Sequence, residues 1–180
     1  MGSTFSSPIR RSYHVFPSFH GPDLPRGFLS RLHDQFASKG ITMFKDQGIE
    51  RGNTIGPEFV KAIKQSIVSI VVLSENYASS KWCLDELVQI FKFKEASRQM
   101  IVMPIFVRVD PSDVQKQRGD FGDAFEKTCQ GQTEQVKTIW SRALAHIGSI
   151  AGQHSLYWDD EAAMVESIAR DVSRRLNDIC

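Results

Sequence analysis

The 180-residue chain has little cysteine: Cys83, Cys129 and Cys180 form an odd set at unrelated spacings. That excludes a disulfide framework and suits a reducing compartment, and no CxxC or Cys/His metal spacing occurs. Charge of one sign is missing as well. The sequence carries 22 Lys and Arg against 21 Asp and Glu, a net +1, with no long basic or acidic run. This argues against a surface built mainly to neutralise phosphates, and the chain gives no strong nucleic-acid signal. The longest apolar stretch, Ile67 to Leu73, is broken by Ser69 and is far too short to span a bilayer. Met1 to Ser12 lacks the apolar core of a signal peptide. Met1-Gly2-Ser3-Thr4-Phe5-Ser6 fits the loose N-myristoylation pattern. An ordinary Ser-rich lead-in is the favoured explanation, since one acyl chain anchors only marginally anyway. The expected location is cytoplasmic or nuclear.

Nucleotide and hydrolase signatures are missing too. No GxGxxG follows the first expected strand and no GxxxxGK[ST] occurs, which excludes a dinucleotide-binding Rossmann domain and a P-loop NTPase. No GxSxG marks a nucleophile elbow. Ser18-Phe19-His20 stands where a phosphoacceptor receiver domain would carry acids. The five histidines have no metal spacing, so no metal is expected; His14 reads as occupying a strand face.

What is present is an ordinary globular composition, 41% hydrophobic and 24% charged. The length suits one domain burying roughly 70% of its unfolded surface. Residues 1–12 read as a flexible lead-in and 13–180 as the domain. Tyr13 to Phe19 reads as a strand in which Pro17 removes one ladder donor. Phe28, Leu29, Leu32 and Phe36 recur at helical spacing, with Lys39-Gly40 as the stop. Ile41 to Phe44 reads as a second short strand. Pro57 opens a helix with Phe59, Val60, Ile63 and Ile67. Val68 to Leu73 is the clearest strand and nearly all apolar, as expected when both sheet faces are covered.

Lys81 to Lys94 is a helix of strong formers. Ile101 to Val107 is a further strand, in which Pro104 hints at an edge or a bulge. Trp140, Leu144 and Ile147 continue in helical register. A last helix carries Val165, Ile168, Val172, Leu176 and Ile179 on one stripe. Strict alternation of strand and helix implies a parallel sheet covered on both faces, with ligands beyond the carboxyl ends of the strands. The candidate loops follow Phe19, Phe44, Leu73 and Val107. There is no internal repeat.

Several segments go further. Tyr13-His14-Val15-Phe16-Pro17-Ser18-Phe19-His20-Gly21-Pro22-Asp23 resembles YDVFLSFRGED, the opening signature of plant TIR domains. Asp46-Gln47-Gly48-Ile49-Glu50-Arg51-Gly52 is similar to the BB loop of that family. Ser74 to Leu87, with its Ser79-Ser80-Lys81-Trp82-Cys83-Leu84-Asp85-Glu86 core, is nearly unaltered from the family's most diagnostic stretch. Val109 to Val114 and Phe121 to Phe125 complete the series in family order.

The resemblance implies a flavodoxin-like TIR fold, α/β, with a central parallel five-stranded sheet and helices on both faces. It also implies cleavage of NAD+ at the nicotinamide–ribose bond, with NAD+ as substrate and no cofactor. The ADP-ribose-type products act as defence and cell-death signals read by lipase-like immune regulators. The family's catalytic carboxylate falls on Glu86, and its pocket on Phe19, His20, Gly21, Asp23, Trp82 and Cys83. The BB loop of a neighbouring copy (Asp46, Gly48, Glu50, Arg51 and Gly52 here) helps to close that pocket, so the chain is expected to associate with itself and with other TIR domains.

The residues themselves fit this role for Glu86. It lies one turn from both Trp82 and Ile90 on an apolar stripe, whereas Asp85 shares a solvated face with Lys81 and Gln89. The chain also departs from the family. His20 replaces an Arg with its permanent charge and forked donors, Pro22 replaces an acid, and Leu24-Pro25 replaces Thr-Arg. Ser30-Arg31 replaces a Ser-His pair used in self-association, and Arg31 facing its own copy would oppose pairing. These changes are expected to weaken catalysis and pairing. They leave open an alternative reading as a TIR–TIR adaptor or decoy.

Overall fold

The computed structural model describes residues 13–45, 55–97, 99–150, 153–155 and 161–179. Four parallel strands, β1 (Val15–Ser18), β2 (Val68–Leu73), β3 (Ile101–Val107) and β4 (Gln153–Ser155), lie side by side in the order β1-β2-β3-β4. The segment expected as the second strand pairs with β1 through a single bridge, Val15 to Met43. Val15 N–H donates to Thr42 O at 3.0 Å and Phe44 N–H to Val15 O at 2.8 Å. The next donor, Thr42 N–H, is taken by His14 Nδ1 at 2.9 Å, so His14 closes the ladder just outside β1 rather than sitting on a strand face.

The helices are α1 (Phe28–Ala37), α2 (Pro57–Gln65), α3 (Lys81–Ala96), α4 (Pro111–Lys116), α5 (Gly119–Cys129), α6 (Glu134–Ser149) and α7 (Glu161–Ile179). Pro57 opens α2 as expected, and Gly40, at φ +73°, turns the chain after α1. Strict alternation fails after β3, where three helices precede β4. The β4 segment, Gln153-His154-Ser155, carries no apolar residue and gave no strand signal. Pro104 is neither on an edge strand nor at a bulge. It pairs with Val71 inside the sheet, and β4 spans only Ile105–Val107 of β3, so the proline stands outside that second ladder.

Each face of the sheet has its own core. Val15, Val68, Ile70 and Val72 pack with Phe28, Leu32 and Phe36 of α1 and with Val165, Ile168 and Val172 of α7. Phe16, Val71 and Leu73 pack with α2, α3, α5 and α6 on the other side. The period-2 alternation of β2 feeds both layers, which is why nearly every residue in it is apolar. Ile179, expected on the buried stripe of α7, is 42% exposed. Gly148 lets α6 meet α4 directly, because a Cβ there would lie 2.6 Å from Gln115 N.

Candidate functional site

The site is built around the N-terminal half of α3. Ser80 caps this helix by accepting from Cys83 N–H at 3.2 Å, which fixes the register of the residues that follow. Trp82 and Glu86 are then four residues apart on one face, and Trp82 Nε1–H donates to Glu86 Oε2 at 2.9 Å. Ser18, the last residue of β1, donates its hydroxyl to Glu86 Oε1 at 2.8 Å. Ser18 Oγ also lies 2.8 Å from Tyr77 Oη, and Tyr77 O–H reaches Cys83 O at 3.1 Å. Ser18 and Tyr77 are fully buried, and Glu86 is 2% exposed. A carboxylate this deep is held by donors on both of its oxygens.

Burial, first of all, pushes the Tyr77 phenol well above its usual range, and the nearby Cys83 and Glu86 add to it, while the hydrogen bond with Ser18 works against it. Tyr77 is therefore a neutral O–H group at any physiological pH.

Glu86 lines a cavity of about 300 Å³ together with Phe19, Ser30, His33, Phe44 and Lys45. Its wall is fixed by an aromatic series. Trp82 meets Phe59 edge-on at 4.8 Å, Phe59 meets Phe44 at 5.5 Å, and Phe44 stacks on Phe16 at 5.5 Å. The cavity opens at the carboxyl end of β1, where a parallel sheet is expected to bind ligands.

The residues expected to line the site divide in three. Phe19 and Glu86 meet in the cavity. Trp82 and Cys83 stand behind it: Trp82 holds Glu86, and Cys83 Sγ donates to Phe19 O at 3.3 Å. Asp23 lies elsewhere, in a hollow of about 400 Å³ with Pro22, Pro25, Ser74, Glu75 and Arg108. Its carboxylate ties the first loop to the loop after β2, accepting from Ser74 Oγ, from Asn76 N–H at 2.7 Å and from Asn76 Nδ2 at 2.8 Å.

Burial is the largest influence on Asp23 and raises its pKa. The bonds from Ser74 and Asn76 and the charge of His20 outweigh it, leaving the group below its ordinary value. Gly21 lies against Phe19, where an added Cβ would be in ordinary contact at 3.8 Å from the ring. Asp46, Gly48, Glu50, Arg51 and Gly52 lie outside the described residues.

Ser30 and Arg31 diverge. Ser30 lines the cavity, whereas Arg31 pairs with Glu161 at the start of α7 and donates to Arg26 O at 3.0 Å. Asp85 is not on a solvated face. It accepts from Trp140 Nε1–H at 3.0 Å and joins α3 to α6. Sequence reasoning missed His33, Lys45, Ser18 and Tyr77. Leu29 and His33 are one turn apart in α1, a weak signal beside the dominant Phe28, Leu32 and Phe36 stripe, and nothing local marks Ser18 as facing a helix sixty-eight residues away.

A family model described as TIR domain matches residues 12–180. The disease resistance protein RML1A of Arabidopsis thaliana is 56% identical over 178 residues, covering 98% of this chain and 18% of the relative. The disease resistance-like protein DSC2 of the same plant is 53% identical, covering 94% and 14%. The chain thus spans less than a fifth of the length of these curated relatives. Among solved structures, the TIR domains of the activated Roq1 resistosome, which directly recognizes the pathogen effector XopQ, superpose with a TM-score of 0.78. They share 38% identity, over 89% of this chain and 99% of that one.

Proposed function

This chain belongs to the TIR domain family of plant disease-resistance proteins, and on that premise we propose that it cleaves NAD+ at the nicotinamide–ribose bond, with Glu86 as the catalytic carboxylate. The observation that carries this reading is a buried carboxylate, held on both oxygens, in the lining of a cavity at the mouth of β1. Breaking the C–N bond releases nicotinamide as a neutral group and leaves a ribosyl oxocarbenium-like cation. No general acid is needed, unlike the two-carboxyl hydrolysis of O-glycosides. Glu86 orients the ribose hydroxyls and stabilises the developing positive charge, and water completes the reaction to ADP-ribose and a proton. A volume of about 300 Å³ is at the small end of ligand pockets and suits the nicotinamide riboside half. His33 and Lys45 supply cationic or donor groups toward the diphosphate.

Completion of the pocket by the BB loop of a second copy, Asp46 to Gly52, makes activity rise with concentration. The relatives' role in disease resistance supports immune signalling as the output, through nucleotide products read by lipase-like regulators in the cytoplasm or nucleus. The test is incubation of concentrated protein with NAD+, with Glu86→Ala alongside. Nicotinamide release by the wild type that vanishes in the variant is the expected result; release that survives in Glu86→Ala sinks the assignment. Silence of the wild type, even when concentrated, favours the second reading, a TIR–TIR interaction module. The substitutions at His20, Pro22 and Pro25 fall in the first loop, the two prolines lining the hollow of Asp23, and they support that alternative.

A further inference from the structure

Ser18 and Tyr77 do not line the cavity, yet they stand behind Glu86 in an unbroken series of hydroxyls. Proton counting orders the series. Tyr77 carries one proton and has two acceptors in reach, Ser18 Oγ at 2.8 Å and Cys83 O at 3.1 Å. Ser18 also carries one proton. The Cys83 carbonyl has none to give, and the Trp82 indole N–H can only donate to Glu86 Oε2. When Ser18 spends its proton on Glu86 Oε1, its oxygen is free to accept from Tyr77, and the carboxylate is ionised. When Tyr77 turns its proton to Cys83 O, the Ser18 proton is able to turn to the Tyr77 oxygen. The Ser18–Glu86 contact is then a hydrogen bond only if Oε1 bears a proton. The two arrangements differ by one proton on Glu86.

We propose that Ser18 and Tyr77 are positioning residues forming a two-state hydroxyl relay that fixes both the orientation of Glu86 and the pH at which it becomes ionised. This rests on the reading of Glu86 as the reacting carboxylate. The neutral phenol of Tyr77, fully buried, supplies the proton that turns Ser18 toward Glu86. Other titratable or charged groups stand nearby: Cys83, on the same helix, acts with Glu86 on Tyr77, and His33 of α1 and Lys45 after Met43 share the cavity with Glu86. They are common to wild type and variants, so a difference between the two isolates the hydroxyls.

The experiment is a pH titration of the Glu86 carboxyl carbon by NMR in ¹³C-glutamate-labelled full chain, with the signal assigned by its loss in Glu86→Gln. It is run for wild type, Ser18→Ala, Ser18→Thr and Tyr77→Phe, beside pH profiles of nicotinamide release. Ser18→Ala is expected to move the Glu86 midpoint and the acid limb of kcat up by about one pH unit, the worth of one lost charge-assisted hydrogen bond. KM stays near the wild-type value because Ser18 is buried behind the cavity. Ser18→Thr, which keeps the hydroxyl, restores the midpoint, and Tyr77→Phe moves it in the same direction by less.

An unchanged midpoint in Ser18→Ala overturns the relay, whether or not the chain cleaves NAD+. So does a kcat loss shared equally by Ser18→Ala and Ser18→Thr with no pH shift, which is what a packing role produces. A shifted midpoint together with a wild type that releases no nicotinamide supports the relay and sinks the enzymatic reading.

Discussion

Glu86 and Asp23 are both carboxylates of conspicuous motifs, both sit next to the loop that follows β1, and both accept several hydrogen bonds, yet the structure puts them to opposite uses. Asp23 lies in the loop itself and receives three donors from Ser74 and Asn76, two of them on residue 76. Its oxygens are spent on holding the first loop to the loop after β2. Glu86 sits on a helix at 2% exposure, accepts from Ser18 on one oxygen and from Trp82 on the other, and lines a cavity. A carboxylate saturated by backbone and amide donors is a fastener. One held on a rigid helix by side-chain donors, in the lining of a cavity, is poised to act on a ligand.

The sharpest way to break this contrast is to remove each charge in turn. Glu86→Gln keeps the shape, and its amide still accepts from Trp82 and donates to Ser18. The fold is expected to survive, since the exchange removes a buried charge. Nicotinamide release is expected to fall on the order of 10²–10³-fold, read by chromatography of the products. A loss of stability as large as the loss of activity would make Glu86 a fastener as well.

A change remote from both carboxylates calibrates what scaffold damage looks like. Gly148→Ala drives a methyl into the Gln115 backbone, where α4 and α6 touch, and is expected to lower stability by roughly 1–3 kcal/mol in urea denaturation. At temperatures where the fold persists, NAD+ cleavage should be retained.

Asp23→Ala is expected to cost roughly 1–2 kcal/mol through the orphaned Ser74 and Asn76 donors, with a smaller effect on catalysis than Glu86→Gln. Its signature is a pH dependence. Folding lowers the pKa of Asp23, so its contribution is complete above the unfolded value of about 3.9 and is lost as pH falls through the lower folded value. Thermal melts of wild type and Asp23→Ala should therefore converge in strong acid and separate toward neutrality. Melts that stay equally far apart at all pH values would deny Asp23 this role.

The smallest effect concerns Ser69 in β2, whose buried hydroxyl has no hydrogen-bond partner among the described residues. Ser69→Ala is expected to be neutral or to stabilise by up to about 1 kcal/mol, seen as a small rise in melting temperature. This contrasts with Ser18, a buried serine on the neighbouring strand whose hydroxyl is fully used.

Most of the fold was legible because its signals are local. The apolar run of β2, the α1 stripe, Pro57 at the start of α2 and the strong helix formers of α3 each follow from neighbours within a turn or two. β4 was not legible, because three polar residues make a strand only when β3 offers an open ladder. Likewise, Ile41 to Phe44 looked like a full strand, and the competing bond from Thr42 to His14 limits it to one bridge.

The sequence by itself determined the parallel sheet covered on both faces, the family and the position of Glu86 on an apolar stripe, since spacing along a helix or strand fixes which residues share a face. Only the tertiary structure decided which groups surround that carboxylate. Ser18 meets Glu86 across sixty-eight residues, and Ser30 and His33 of α1 and Lys45 after Met43 reach the same cavity. Asp85 turns to Trp140, Arg31 to Glu161 and Asp23 to Asn76. The physical reason is that a hydrogen bond depends on position and angle in space, which chain folding sets and residue spacing does not encode.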